Sequence, residues 1–171
     1  MAFQYKKTKH NAPEGGDEEL AKSLYLWATS RCSQREYCRS ELAQKMRTKG
    51  ATTQQIEQIL EQLEAERYVD EIRYARAFVS DKFRFERWGR VKIRYTLQHK
   101  GIASYCIDEA LSHITSDEYK DALATFIAQR KKATKGDTSY EINQKVARAA
   151  ISRGFEPQLV FSQLKLDDDE W

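Results

Sequence analysis

Three glycines constrain this chain more than any other feature. When Gly50 is laid on Gly101, the apolar positions superpose without gaps: Leu42 on Ile93, Met46 on Leu97, Ile56 on Ile107 and Leu60 on Leu111. A third copy is centred on Gly154, with Val146 and Ala150 before the glycine and Val160 and Leu164 after it at the same offsets. Apolar residues eight and four places before a glycine, then six and ten after it, make two short helical stripes hinged at one point. The spacing of 51 and then 53 residues (50 to 101, 101 to 154) marks stacked supersecondary units.

Each glycine has a physical reason. A helix commonly ends on a residue of positive φ, which glycine adopts without a side-chain clash. Lys49, Lys100 and Arg153 precede the three glycines, where a cation complements the helix dipole. Ala51, Ile102 and Phe155 follow them, placed to pack back over the helix end. A further helix is predicted upstream in each unit, on stripes that include Leu20, Leu24, Trp27 and Ala28, then Ala75, Phe78 and Val79, then Tyr119, Ala122, Leu123, Phe126 and Ile127. These helices span about 18–31, 70–85 and 116–132. The expected fold is therefore all-α, three tandem three-helix repeats in an elongated, curved array, each repeat stabilised by its neighbours. Repeat boundaries fall at 17–69, 70–114 and 115–166. A flexible tail (1–16), the "KKATKGD" connector and an acidic end (167–171) are expected to be the most mobile parts.

Composition agrees. Only seven glycines and two prolines interrupt the 171 residues, and no stretch alternates as a strand would. No apolar run has the length of a signal peptide core or a membrane span, so a cytoplasmic protein is expected. Cys32, Cys38 and Cys106 lack metal spacing and read as buried thiols.

No catalytic constellation emerges, and the chain is read as a non-enzyme without cofactor or metal. His10, His99 and His113 are scattered, without partners at i+4. The segment "TKGDTS" has neither the second glycine nor the Gly-Lys-Ser/Thr end of a phosphate loop. Carboxylates sit on helix faces, where pairing such as Glu41 with Lys45 accounts for them.

Charge separates the second unit from the first. Residues 73–100 carry nine Lys or Arg against two acids, whereas residues 17–69 balance nine acids with eight bases. The stretch "DKFRFERWGRVKIRYTLQHKG" interleaves Phe83, Phe85, Trp88 and Tyr95 with cations, a pattern that nucleic-acid surfaces use and that a helix junction with core rings also produces. Trp88 lies at the same offset from its glycine as Tyr37, which favours a core role for the rings. The cations have no such counterpart in unit one. Arg73, Arg76, Lys82, Arg84, Arg87, Arg90, Lys92, Arg94 and Lys100 are the candidate partner- or DNA-binding residues, with Arg90 and Arg94 expected on a shared exposed flank. A helix that reads the major groove should be basic or amide-rich, yet the last helices of units one and two are acidic and that of unit three carries no cation. Sequence-specific groove reading is therefore not expected.

The segments "REYCRSELAQKMRTKG", "YVDEIRYARAFVSDK", "WGRVKIRYTLQHKGI" and "SRGFEPQLV" occur in the order and spacing of the RecX family, which this chain resembles from about residue 20 to 165. The resemblance implies a crescent of three-helix repeats that lies in the groove of the RecA recombinase filament and restrains its ATP hydrolysis, strand exchange and growth. It implies that the cationic face of unit two touches acidic filament surface, DNA within the filament, or both. From the charge pattern, DNA binding alone is expected to be weak and non-specific, and a monomer without membrane association is expected. A non-specific DNA-binding helical protein without a recombinase partner is the competing reading. Cys38 departs from the family pattern, which usually has a serine there to cap the second helix. Ser40, or Ser33 in a box with Glu36, is expected to serve instead.

Overall fold

The computed structural model describes residues 16–166. The acidic end, His10 and all of the predicted tail except Gly16 lie outside the described residues. Among the described residues there are nine helices and no strand: α1 (Gly16–Cys32), α2 (Arg39–Thr48), α3 (Thr53–Ala65), α4 (Glu71–Arg84), α5 (Arg90–His99), α6 (Ser104–Ser112), α7 (Ser116–Ala133), α8 (Ser139–Ser152) and α9 (Pro157–Leu164). The fold is all-α. The chain divides into two compact units at Tyr74–Ala75, inside α4.

All twelve apolar positions of the glycine register are buried, none more than 5% exposed. Each fully buried Leu, Ile, Val or Met is worth about 1.5–3 kcal/mol. The register is therefore a substantial part of the packing, beside other buried side chains such as Ile59, Leu63, Tyr119 and Phe155. Gly50, Gly101 and Gly154 have φ of 90°, 81° and 96°, each one residue beyond the cap of α2, α5 or α8. The same pair of hydrogen bonds closes all three turns. The Gly50, Gly101 and Gly154 amides donate to the carbonyls of Arg47, Gln98 and Ile151, and the next amides, of Ala51, Ile102 and Phe155, reach back to Met46, Leu97 and Ala150. This is the left-handed helix stop that satisfies two otherwise orphaned carbonyls.

In the first unit α1, α2 and α3 enclose one core that includes Leu24, Ala28, Leu42, Met46, Ile56, Ile59 and Leu63. Thr52 and Gln55 form a reciprocal capping box at the start of α3, and Gln55, the buried polar residue, also donates to the Asp17 carbonyl at 3.1 Å. Arg39 bridges α2 to Glu57 and Glu64 of α3, at 2.5 and 2.6 Å. Cys38 occupies the N-cap of α2 with extended backbone but makes no capping hydrogen bond. Ser33 does not substitute as expected. The Ser33 hydroxyl turns back to the Thr29 carbonyl of α1, and Ser40 Oγ lies 3.2 Å from the Cys38 sulfur.

In the second unit Tyr119 of α7 is the hub. It is buried between Phe83 and Phe155, with ring centroids 5.9 and 5.4 Å away. Its hydroxyl donates to Glu156 at 2.6 Å and accepts from the Arg90 amide at 2.9 Å. The α5 N-terminus packs on the turn between α8 and α9, where the Gly89 amide donates to the Arg153 carbonyl and the Val91 amide to the Gly154 carbonyl, at 3.0 and 3.1 Å. The connector after α7 is partly helical. Helix α7 runs through Lys131, Lys132 and Ala133, and the short link to α8 is clamped from α8 itself. Glu141 accepts from the Asp137 amide at 3.0 Å, and Lys145 donates to the Lys135 carbonyl at 3.1 Å.

Candidate interaction surface

The nine candidate cations do not form one free face. Arg73 belongs to the first unit, where its guanidinium binds Glu36 at 2.6 Å and reaches the carbonyls of Arg67 and Tyr68. Arg76 grips both carboxylate oxygens of Glu109, which also meets His113 Nε2 at 3.0 Å. That hydrogen bond from Arg76 is the first cause that holds the Glu109 carboxyl down at about 2; the contact with His113 adds to it. Lys82 sits between Glu86 and Asp81, at 2.5 and 3.2 Å, and the Glu86 contact raises its pKa.

Lys82 also lies over the Phe78 and Trp88 rings, at 5.5 and 5.4 Å, and three more cations lie on rings. Lys92 Nζ is 4.2 Å from the Trp88 ring centre, Lys100 Nζ is 6.0 Å from that of Phe78, and Arg90 lies 4.2 Å over Tyr119. Arg90 also donates to the Ile114 carbonyl at 2.8 Å, and its Nε is buried without a partner. Arg90 and Arg94 do share a flank of α5 and line the same groove, but the two are not equally free. Arg90 is part of the packing, whereas Arg94 is 41% exposed and pairs across the surface with Asp108 at 2.6 Å. Arg84 is exposed, and Arg87 is exposed in the turn after α4, with φ of 55° and a 2.9 Å hydrogen bond to Gln129.

The rings divide as well. Trp88 is half-buried edge-on to Phe78, and Phe83 is half-buried against Tyr119, as core residues should be. Phe85 and Tyr95 are not core: they are 80% and 60% exposed. Val91, one turn before Tyr95 on α5, is exposed too, as is Tyr105 on α6. The sequence held a signal for these residues. Val91 and Tyr95 fall off the buried register set by Ile93 and Leu97, which flags them as outward-facing apolar side chains. The tyrosine ring rests on His99, with centroids 3.9 Å apart.

A groove of about 630 Å³ runs along α5, lined among others by Val91, Arg94, Tyr95, Gln98, Leu111 and Glu156. Surface ion pairs such as Arg94–Asp108 are worth at most about 1 kcal/mol and exchange readily for another carboxylate. The surface can therefore hold an acidic, partly apolar partner without first breaking a costly contact. Among the described residues no group of three His, Cys, Asp or Glu is arranged to hold a metal ion, and no helix is long and apolar enough to cross a membrane.

The family model for the second three-helix domain of RecX matches residues 70–111, the stretch that carries α4, α5 and α6. The chain is 31% identical over 128 residues to the regulatory protein RecX of Prosthecochloris aestuarii, which covers 74% of this chain and 81% of that one. It is 33% identical to the regulatory protein RecX of Clostridium beijerinckii over 73% of this chain, and there it spans only 59% of the relative. A crystal structure of regulatory protein RecX superposes with a TM-score of 0.78 over 86% of this chain and 74% of the other; at 21% identity that likeness speaks for the fold. The helices, the glycine turns and the shared sequence lead to one assignment: this chain belongs to the RecX family.

Proposed function

We propose that this chain is a cytoplasmic regulator that binds the RecA recombinase filament and restrains its ATP hydrolysis, strand exchange and growth. The observation that carries the reading is the surface of α5, where Arg94 lines one groove with the exposed Val91 and Tyr95; Arg84 and Arg87 add exposed cations at the end of α4 and in the turn after it. A filament of protein on DNA offers carboxylates, apolar patches and phosphates together, which suits cations interleaved with apolar side chains. The helix triplets 17–69, 70–114 and 115–166 would be the repeating units, with the second supplying the main contact. Lys82, Lys92 and Lys100 add to its positive potential, while Arg73, Arg76 and Arg90 serve mainly to hold the scaffold.

The test is a titration of the protein, as a monomer, into the DNA-dependent ATPase of the recombinase, beside binding to the same DNA bare and coated. Inhibition with tighter binding to coated DNA is the expected result. Binding to bare DNA should be weak, indifferent to sequence and steeply salt-dependent. Equal affinity for bare and coated DNA would favour a general DNA-binding protein instead.

A further inference from the structure

The glycine register supplies an internal control for the apolar surface. Counted from Gly101, Val91 lies ten residues before the glycine and Tyr95 six before it. The same places hold Ser40 and Gln44 in the first copy, counted from Gly50, and Gln144 and Arg148 in the third, counted from Gly154. Tyr105, four residues after its glycine, corresponds to Gln54 and Gln158. The helix that bears these positions is the same in all three copies, so the fold does not ask for apolar residues there. Val91 and Tyr95 are nonetheless 52% and 60% exposed, one turn apart on a single face of α5.

We infer that the α5 groove is a docking site for a segment of a protein partner that sets apolar side chains against Val91, Tyr95 and Leu111 and a carboxylate on Arg94. The inference rests on the recombinase-regulator reading and gives it a protein contact rather than a nucleic-acid one. Three observations choose between them. One face of the Tyr95 ring is already covered by His99, which leaves less room for a base to stack. Asp108, 60% exposed on its side chain, and Glu156 at the groove wall would repel phosphates. Of the two arginines that line the groove, Arg90 is held by the Ile114 carbonyl and the Tyr119 ring, whereas Arg94 can exchange Asp108 for a partner carboxylate at little cost.

The test uses the full chain with Val91→Gln and Tyr95→Gln together, and Tyr95→Gln alone as a milder variant. Both should melt within a few degrees of the parent, because sister helices carry polar residues at these places. The double variant should bind recombinase filaments at least tenfold more weakly, as loss of an aromatic anchor does at protein interfaces, with its weak affinity for bare single-stranded DNA unchanged. A parent chain that fails to bind filaments overturns the regulator reading and this inference with it. A parent that binds, with both variants binding equally well, overturns the docking groove alone. A parallel loss of bare-DNA affinity would make the surface a base-stacking platform and overturn the protein occupant.

Discussion

Gly89 and Gly154 meet backbone to backbone: a Cβ on Gly89 would lie 2.0 Å from the Gly154 carbonyl oxygen, and a Cβ on Gly154 would lie 2.3 Å from Lys92 Cβ. The obstacle at Gly89 is main chain, held in place by the Gly89–Arg153 and Val91–Gly154 hydrogen bonds, so no flexible side chain can swing aside. Gly89→Ala should cost about 3 kcal/mol, at the upper end of overpacking costs. For a chain of this size that is a fall in Tm of roughly 6–12 °C. Gly101 has nothing within 4 Å of its would-be Cβ, so Gly101→Ala bears only the strain of positive φ, about 1–2 kcal/mol. Parallel thermal melts check the contrast. A Gly89→Ala protein that melts with the parent would show that the two glycines do not lock the second unit.

The two glycines also mark where sequence reasoning stops. The buried register was legible because a helix with one buried face must repeat its apolar residues, and Leu42, Ile93 and Val146 obey that rule one by one. The contact of Gly89 with Gly154 was not legible. It joins residues 65 positions apart (154 minus 89) through main chain, and main chain leaves no pattern in side chains. Arg90 failed to announce itself for a related reason. Its place on the helix is a flank, and only the arrival of Tyr119 and the Ile114 carbonyl turns that flank into packing. Val91 and Tyr95 were legible in principle, since a register that names the buried face also names the outward one.

The Arg76–Glu109–His113 cluster predicts an acid-sensitive step. Hydrogen bonding first by Arg76, then by His113, lowers the Glu109 pKa from its ordinary 4.5 to about 2. A group depressed on folding contributes stability that is present in full above the unfolded value and is lost as pH falls through the folded one. The contribution should therefore fade between about pH 4.5 and 2. Glu109→Gln cannot titrate, so its melting temperature should fall less steeply over that window than the parent's. Superimposable pH profiles for the two proteins would contradict the assignment.

Cys38 offers a gain of stability. It holds the N-cap of α2 with φ of −93° and ψ of 163°, the extended geometry that a capping serine uses, yet its side chain makes no capping hydrogen bond. Cys38→Ser keeps the size of the side chain and can accept from the Glu41 amide while still meeting Ser40. A cap of this kind is worth about 1 kcal/mol, offset in part by burial of a hydroxyl where a thiol lay. The variant should melt slightly above the parent. A clear drop would mean that the thiol is valued for its packing.

Arg90 and Arg94 sit one turn apart on α5 and should answer to different assays. Arg90→Glu removes a charged hydrogen bond to the Ile114 carbonyl, brings a carboxylate beside that carbonyl and ends the contact over the Tyr119 ring. Loss of the charge-assisted bond alone costs about 1.5–3 kcal/mol, so this variant should melt well below the parent. Arg94→Glu gives up one exposed ion pair with Asp108, worth about 0.5 kcal/mol, and should fold nearly as the parent does. Against an acidic partner the same change replaces attraction with repulsion, which should weaken filament binding severalfold and shift the ATPase inhibition curve to higher concentration. Melts beside inhibition curves for each variant separate the two roles. If Arg94→Glu inhibits as well as the parent, the exposed cation of α5 plays no part in the contact. If Arg90→Glu melts with the parent, the packing role assigned to Arg90 is wrong.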